Sequence, residues 1–187
     1  LGNHEFDNGI DELARRVRNL NVPVVCANYD FSGSALEGLV KPYVILEKSG
    51  KKIGVIGLLT DVTSVVDKDI VDQLDYRHPA EVANEYARIL KIDQRCDLVI
   101  CLTHLGYEGE NYNDPELAAS TRNVDVIVGG HSHTLLKDHK VVYNLDGEPV
   151  TIVTDWKWGL NIGNLKVDVA PQRLYGKYLD LVPENVF

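Results

Sequence analysis

Val124-Asp125-Val126-Ile127-Val128-Gly129-Gly130-His131-Ser132-His133 begins as a short apolar run and ends in two glycines and two imidazoles. Val124–Val128 reads as a buried strand, and the glycine pair lets the backbone turn sharply at its end. Asp97–Thr103 repeats the pattern as a second apolar strand, which gives way to His104 and Gly106. Between them Pro115–Arg122 reads as a short helix. Ahead of them Pro79 opens a helix to about Asp93, with Val82, Ala83, Tyr86, Ile89 and Leu90 on one face. Apolar strands that run out into glycine-rich loops are where open α/β sheets place their sites.

Working outward, residues 8–20 predict an amphipathic helix, because Ile10, Leu13, Ala14, Val17 and Leu20 recur at helical spacing. Asp7 or Asn8 is its expected N-cap. Val22–Asn28 predicts a buried strand and Tyr29–Gly38 a polar loop. Val40–Lys48 and Lys51–Leu59 predict a hairpin through Ser49-Gly50, and residues 61–78 stay unassigned. The later chain reads as β: Val141–Asn144, a turn at Asp146-Gly147, Val150–Thr154, Leu160–Val169 and Lys177–Leu181. α/β units followed by a β-meander fit two packed sheets flanked by helices in one domain.

The 187 residues suffice for a sizeable core, and 44% hydrophobic with 25% charged residues is ordinary globular composition. The longest apolar runs are too short to span a bilayer. A formal charge of −9 without a basic patch argues against a nucleic-acid partner. It leaves room for a small anionic substrate, since bound cations reverse a local field. Cys26, Cys96 and Cys101 are read as small buried hydrophobes rather than as a disulfide or zinc framework.

Three blocks could carry chemistry. An HxH pair alone is weak evidence, but after a buried strand and two glycines His131 and His133 become candidate metal ligands. If the backbone stays extended there, each ring is expected to serve a different metal. His104, at a strand end, is a third candidate, since neutral imidazole is the commonest metal ligand. In Gly2-Asn3-His4-Glu5-Phe6-Asp7, the Asn3 carbonyl oxygen suits a hard or borderline cation. His4 is then free for proton donation, with Asp7 either orienting its ring or capping the helix that follows. His78 and His139 read as solvated, and Glu108 and Glu110 as solvated loop residues.

GNHE at residues 2–5, THLG at 103–106 and GGHSH at 129–133 resemble, in order, the last three of the five sequence blocks of calcineurin-like metallophosphoesterases. The flanks are similar to the 5′-nucleotidase branch: LGNHEFDNG, VPVVCAN at 22–28, IGVIGLLT at 53–60, DLVICLTHLG at 97–106, VDVIVGGHSHT at 124–134, and Trp158–Gly163. The likeness covers most of residues 1–169. It implies a four-layer α/β/β/α sandwich, here partial, and a two-metal phosphomonoesterase acting on nucleotides. It places Asn3, His104 and His131 on one divalent ion and His133 on the other, with His4 and Asp7 as the catalytic pair. The ions would be zinc, manganese or iron. The same resemblance makes residues 1–187 a catalytic domain truncated at its N-terminus, without the family's first two blocks or its C-terminal nucleotide-binding domain, and inactive alone. It favours a periplasmic or cell-surface location. The alternatives are a phosphodiesterase or nucleotide-sugar hydrolase on the same centre, or a non-catalytic family-like module. An in-frame Asp-x-His and Gly-Asp upstream of Leu1 would eliminate the last.

Overall fold

The computed structural model describes residues 1–63, 66, 68, 74–109, 112–169 and 180–181 of the chain. Helix α1 (Ile10–Arg18) leads into three short strands, β1 (Val24–Val25), β2 (Tyr29–Asp30) and β3 (Val40–Lys41). The hairpin β4 (Tyr43–Lys48) and β5 (Lys51–Leu59) follows, then β6 (Asp75–Tyr76), helix α2 (Pro79–Arg88) and β7 (Leu98–His104). Helix α3 (Asp114–Ser120) and strands β8 (Val126–Val128), β9 (Lys140–Tyr143) and β10 (Pro149–Val153) come next. Strand β11 (Leu165–Lys166) pairs with β12 (Asp180–Leu181).

The apolar runs form the centre of one six-stranded sheet, in the order β4-β5-β7-β8-β10-β9. Strands β5, β7, β8 and β10 are parallel, and β4 and β9 close the two edges antiparallel. Side chains alternate between faces along each strand. Ile56, Leu58, Val99, Cys101, Ile127 and Ile152 point to one face, where Val82, Ala83 and Leu90 from the α2 region and Leu117 and Ala118 of α3 cover them. A second apolar cluster gathers Phe6, the buried side of α1, Leu36, Leu59 and Val62. On the other face of the sheet Leu46, Leu102 and Val128 stay 47%, 42% and 38% exposed. This is the expected α/β sandwich in partial form. Besides the large sheet, only two-stranded pairs occur among the described residues.

Helix α1 buries Ile10, Leu13, Ala14 and Val17 as the spacing predicts, while Leu20 lies beyond its end and is 51% exposed. Its N-cap is Gly9, not Asp7 or Asn8, and no side chain caps it. Helix α2 begins at Pro79 as predicted and widens into a π-type turn over Ile89–Asp93. His78 is exposed yet not merely solvated: its Nδ1 accepts the Ala80 N–H at 3.3 Å and so caps α2.

Other expectations fail for identifiable reasons. The Val22–Asn28 strand shrinks to Val24–Val25, because Pro23 offers no N–H to a ladder and Val22 turns outward. The loop 29–38 is less polar than it reads. Tyr29, Phe31 and Leu36 are buried, and Tyr29–Asp30 pairs with β6. Leu160–Val169 is strand only at Leu165–Lys166, and Leu160 and Ile162 are exposed. Of the predicted Lys177–Leu181 strand, residues 177–179 lie outside the described residues, as does much of 61–78.

Leu90 is fully buried and its branched end packs directly over Gly54 of β5. Leu90→Ala is expected to cost about 2–5 kcal/mol, the usual range for emptying a rigid core site. Urea denaturation measures it.

Candidate metal centre

The first turn of the chain is a 3₁₀ turn, Asn3–Phe6. The Glu5 carboxylate accepts the Gly2 N–H at 2.5 Å, and Phe6 anchors the turn in the second apolar cluster. Asn3 is thereby buried, and a buried amide needs a partner. Its Oδ1 accepts Nε2–H of His104 at 2.9 Å, across 101 residues of chain.

His104 ends β7, and the neighbouring parallel strand β8 ends at Val128, just before the glycine pair. A Cβ at Gly130 would lie 3.1 Å from Nδ1 of His104, and one at Gly2 would lie 2.9 Å from its Cε1. The imidazole is thus closely flanked by both glycines, and a Cβ at Gly2 would force something to shift. Burial, then the adjacent His131, pushes the His104 pKa down to about 4. The ring is neutral at physiological pH, the form that binds metals.

His131 and His133 do not continue an extended strand. Their φ angles are 78° and 54°, left-handed values that non-glycine residues adopt rarely. Ser132 N–H donates to Gly130 O at 3.1 Å, so His131 sits at the centre of a tight γ-turn, a strained conformation at positive φ. Extension would not have separated them, contrary to the expectation, because residues two apart on an extended chain share one face. The turn gives the two rings different surroundings instead. His131 is half-buried with its ring centroid 5.0 Å from that of His104, and His133 is exposed. A relay of hydroxyls holds the turn. Ser132 Oγ accepts the Tyr107 N–H at 2.9 Å and donates to Thr134 Oγ1 at 2.8 Å, which in turn donates to Glu108 at 3.1 Å. Glu108 is thus a structural acceptor rather than a free loop carboxylate. Glu110 lies outside the described residues.

His4 and Asp7 pair at 2.9 Å through Nδ1 and Oδ2, with the His4 side chain 81% exposed. Because Asp7 does not cap α1, its carboxylate is left to the imidazole, and Nε2 is the ring nitrogen left open.

The structure thus gathers Asn3, His104 and His131, and sets the His4–Asp7 pair on the same turn as Asn3. Among the described residues no three His, Cys, Asp or Glu side chains converge on one point. The donor set is one amide oxygen and two imidazoles, with His133 apart. It nevertheless suits one cation in part. The Asn3 oxygen and the His104 Nε2, 2.9 Å apart, are adjacent neutral atoms that one cation could share. The structural supports Glu5, Ser132 and Thr134 did not stand out in the sequence. Only Glu5 had a legible signal, three residues beyond Gly2 at capping-box spacing.

The sequence model of the calcineurin-like phosphoesterase family matches residues 1–135. The chain is 38% identical to the 5′-nucleotidase of Vibrio cholerae, an alignment covering 100% of this chain and 37% of that protein. The crystal structure of a 5′-nucleotidase precursor from Thermus thermophilus superposes with a TM-score of 0.82 at 34% identity, over 98% of this chain and 38% of that one. The Haemophilus influenzae NAD nucleotidase gives 0.80 at 30% identity, over 97% and 37% respectively. This chain belongs to the calcineurin-like phosphoesterase family, and its relatives include 5′-nucleotidases. It spans less than two fifths of the length of the three relatives compared.

The depressed His104 pKa has a consequence for stability. Unfolded histidine titrates near 6.5, whereas folded His104 stays neutral down to about pH 4. Between those values the unfolded state binds the extra proton, so the metal-free protein loses stability as pH falls from 6.5 to 4. Melting temperatures across that window should fall more steeply for the wild type than for His104→Asn.

Proposed function

We propose that this chain contributes the catalytic centre of a metal-dependent phosphomonoester hydrolase acting on nucleotides. The observation that carries the reading is the convergence of Asn3 and His104 at 2.9 Å, with a carboxylate-held His4 on the same short turn. In this reading Asn3, His104 and His131 hold one divalent cation, and His133 contributes to a second. When bound, the cations supply Lewis-acid charge at the phosphate and acidify an attacking water. Three donors for one ion and one for the other leave both incomplete, so the reading calls for further donors from the rest of a full-length protein. Imidazole and amide donors suit zinc, manganese or iron, and elemental analysis of the purified full-length protein decides among them.

The chain's own chemistry is proton transfer. Asp7 accepts Nδ1–H of His4 and fixes the ring's tautomer and orientation. Nε2 then carries the proton that the leaving alkoxide needs when the P–O bond breaks. The Asn3, His104 and His131 donors are neutral and would themselves subtract no charge from the cation they hold.

A second reading keeps the centre and changes the ester, to phosphodiesters or nucleotide sugars. It is favoured by the relative described as an NAD nucleotidase. Parallel assay of mononucleotides, cyclic nucleotides, dinucleotides and nucleotide sugars separates the two. An exported location, periplasmic or at the cell surface, is part of the proposal and rests on a relative described as a precursor. No helix among the described residues is long and apolar enough to cross a membrane.

In the full-length protein, His4→Asn should lower kcat by roughly 10²–10⁴, the range for a lost general acid, while leaving metal content unchanged. Wild-type turnover in that variant would remove His4 from the mechanism.

A further inference from the structure

Asp114 is fully buried at the start of α3. One of its carboxyl oxygens, Oδ1, accepts the Thr103 hydroxyl at 2.6 Å. The other, Oδ2, has no hydrogen-bond partner among the described residues. That second oxygen occupies the space a Cβ would take at Gly129. The backbone of Asp114 is engaged as well, its N–H donating to Gly106 O at 2.8 Å. A single residue therefore touches the residue before His104, the residue two beyond it, and the residue two before His131.

A helix cap does not explain this carboxyl. Asn113 already caps α3, its side chain accepting the Glu116 N–H at 3.1 Å while Glu116 accepts the Asn113 N–H at 3.2 Å. Core filling does not explain it either. The neighbouring buried positions of the helix are Leu117 and Ala118, and an apolar side chain of the same shape would avoid the cost of desolvating a carboxyl. Burial does push its pKa up to about 7, against the opposing hydrogen bond from Thr103. A group that is costly to bury and unnecessary to the helix lies between the two strand ends that carry His104 and His131.

We propose that Asp114 is a positioning residue for the metal centre: with Thr103 it fixes the end of β7 against the turn after β8, so that the His104 and His131 rings face each other. It touches neither ring and acts through Thr103, Gly106 and Gly129. The proposal rests on reading the site as a metal centre.

The test is manganese(II) binding to the metal-free full-length protein, read by the electron paramagnetic resonance of free manganese, alongside melting curves without metal. Thr103→Val and Asp114→Leu keep the shapes of the two side chains and remove their polarity. Removing both partners of a buried hydrogen bond is close to neutral for stability. The double variant is therefore expected to melt near the wild-type temperature without metal, yet to bind manganese about tenfold or more weaker, as when a support of a metal ligand is lost. Asp114→Asn and Thr103→Ser keep the oxygen and the hydroxyl, and each should restore binding to within about threefold of wild type. If the double variant fails to fold, Thr103→Val alone, compared with Thr103→Ser, decides the matter in the same way. Wild-type manganese affinity in a folded double variant overturns the role of Asp114 and leaves the metal-centre reading standing. A wild-type full-length protein that binds no divalent cation overturns that reading, and this inference with it.

Discussion

The centre depends on how closely backbone can approach the His104 imidazole. Gly2 on one side and Gly130 on the other lie so close that a Cβ on either would press against the ring. The first turn of the chain and the turn after β8 are thereby drawn onto one strand end. That contact brings Asn3 to Nε2 and His131 within 5.0 Å, centroid to centroid. The parallel pairing of β7 with β8 supplies the frame, because adjacent parallel strands end on the same edge of a sheet. Without the glycines the same strands would deliver the same residue types to that edge, spread apart by their own side chains.

The parts of the fold that repeat were legible. Helix α1, the β4–β5 hairpin and the strands β7 and β8 announce themselves because many residues agree on one period, and packing rewards the whole pattern. The tightest backbone was not. The left-handed conformations at His131 and His133 are stabilised by a Ser–Thr–Glu relay drawn from loops 25 residues apart, and no local pattern encodes such a relay. The same is true of Asp7. Its spacing fits a helix cap and a histidine partner equally well, and only the identity of the actual N-cap, Gly9, separates the two roles. The three motifs contain Asn3, His104 and His131, which lie together, and His133, which does not, while the geometry that brings the first three together comes from contacts distant in sequence.

The partly covered second side of the large sheet bears on why its strands read as they do. A sheet with one wet face alternates apolar and polar residues, whereas one packed on both sides reads as an unbroken apolar run. Ile53–Leu59 and Leu98–Leu102 are unbroken runs, although the second face is covered only in part, with Leu59 buried in the second apolar cluster and Val25 over Gly57 while Leu102 is 42% exposed. The sequence is thus suited to a sheet covered on both faces, the layering of the sandwich found in the family. Elements in which the pattern and the structure part, such as 160–164, contain apolar residues left outside any ladder.

Electrostatics gives the centre its direction. The chain carries a formal charge of −9, which by itself repels a phosphate ester. The donors nearest one another are nevertheless neutral: an amide oxygen and two imidazoles, both with their pKa values lowered mainly by burial. A cation held by neutral donors keeps its full charge, while one held by carboxylates is largely cancelled before substrate arrives. The carboxylates that stand close are turned to other work, Glu5 to a backbone N–H and Asp7 to His4. Asp7 is turned to Nδ1 of His4 and leaves the ring's Nε2 open. An acidic protein can in this way present a locally positive site, because its negative charges are spent on holding backbone and imidazole in place.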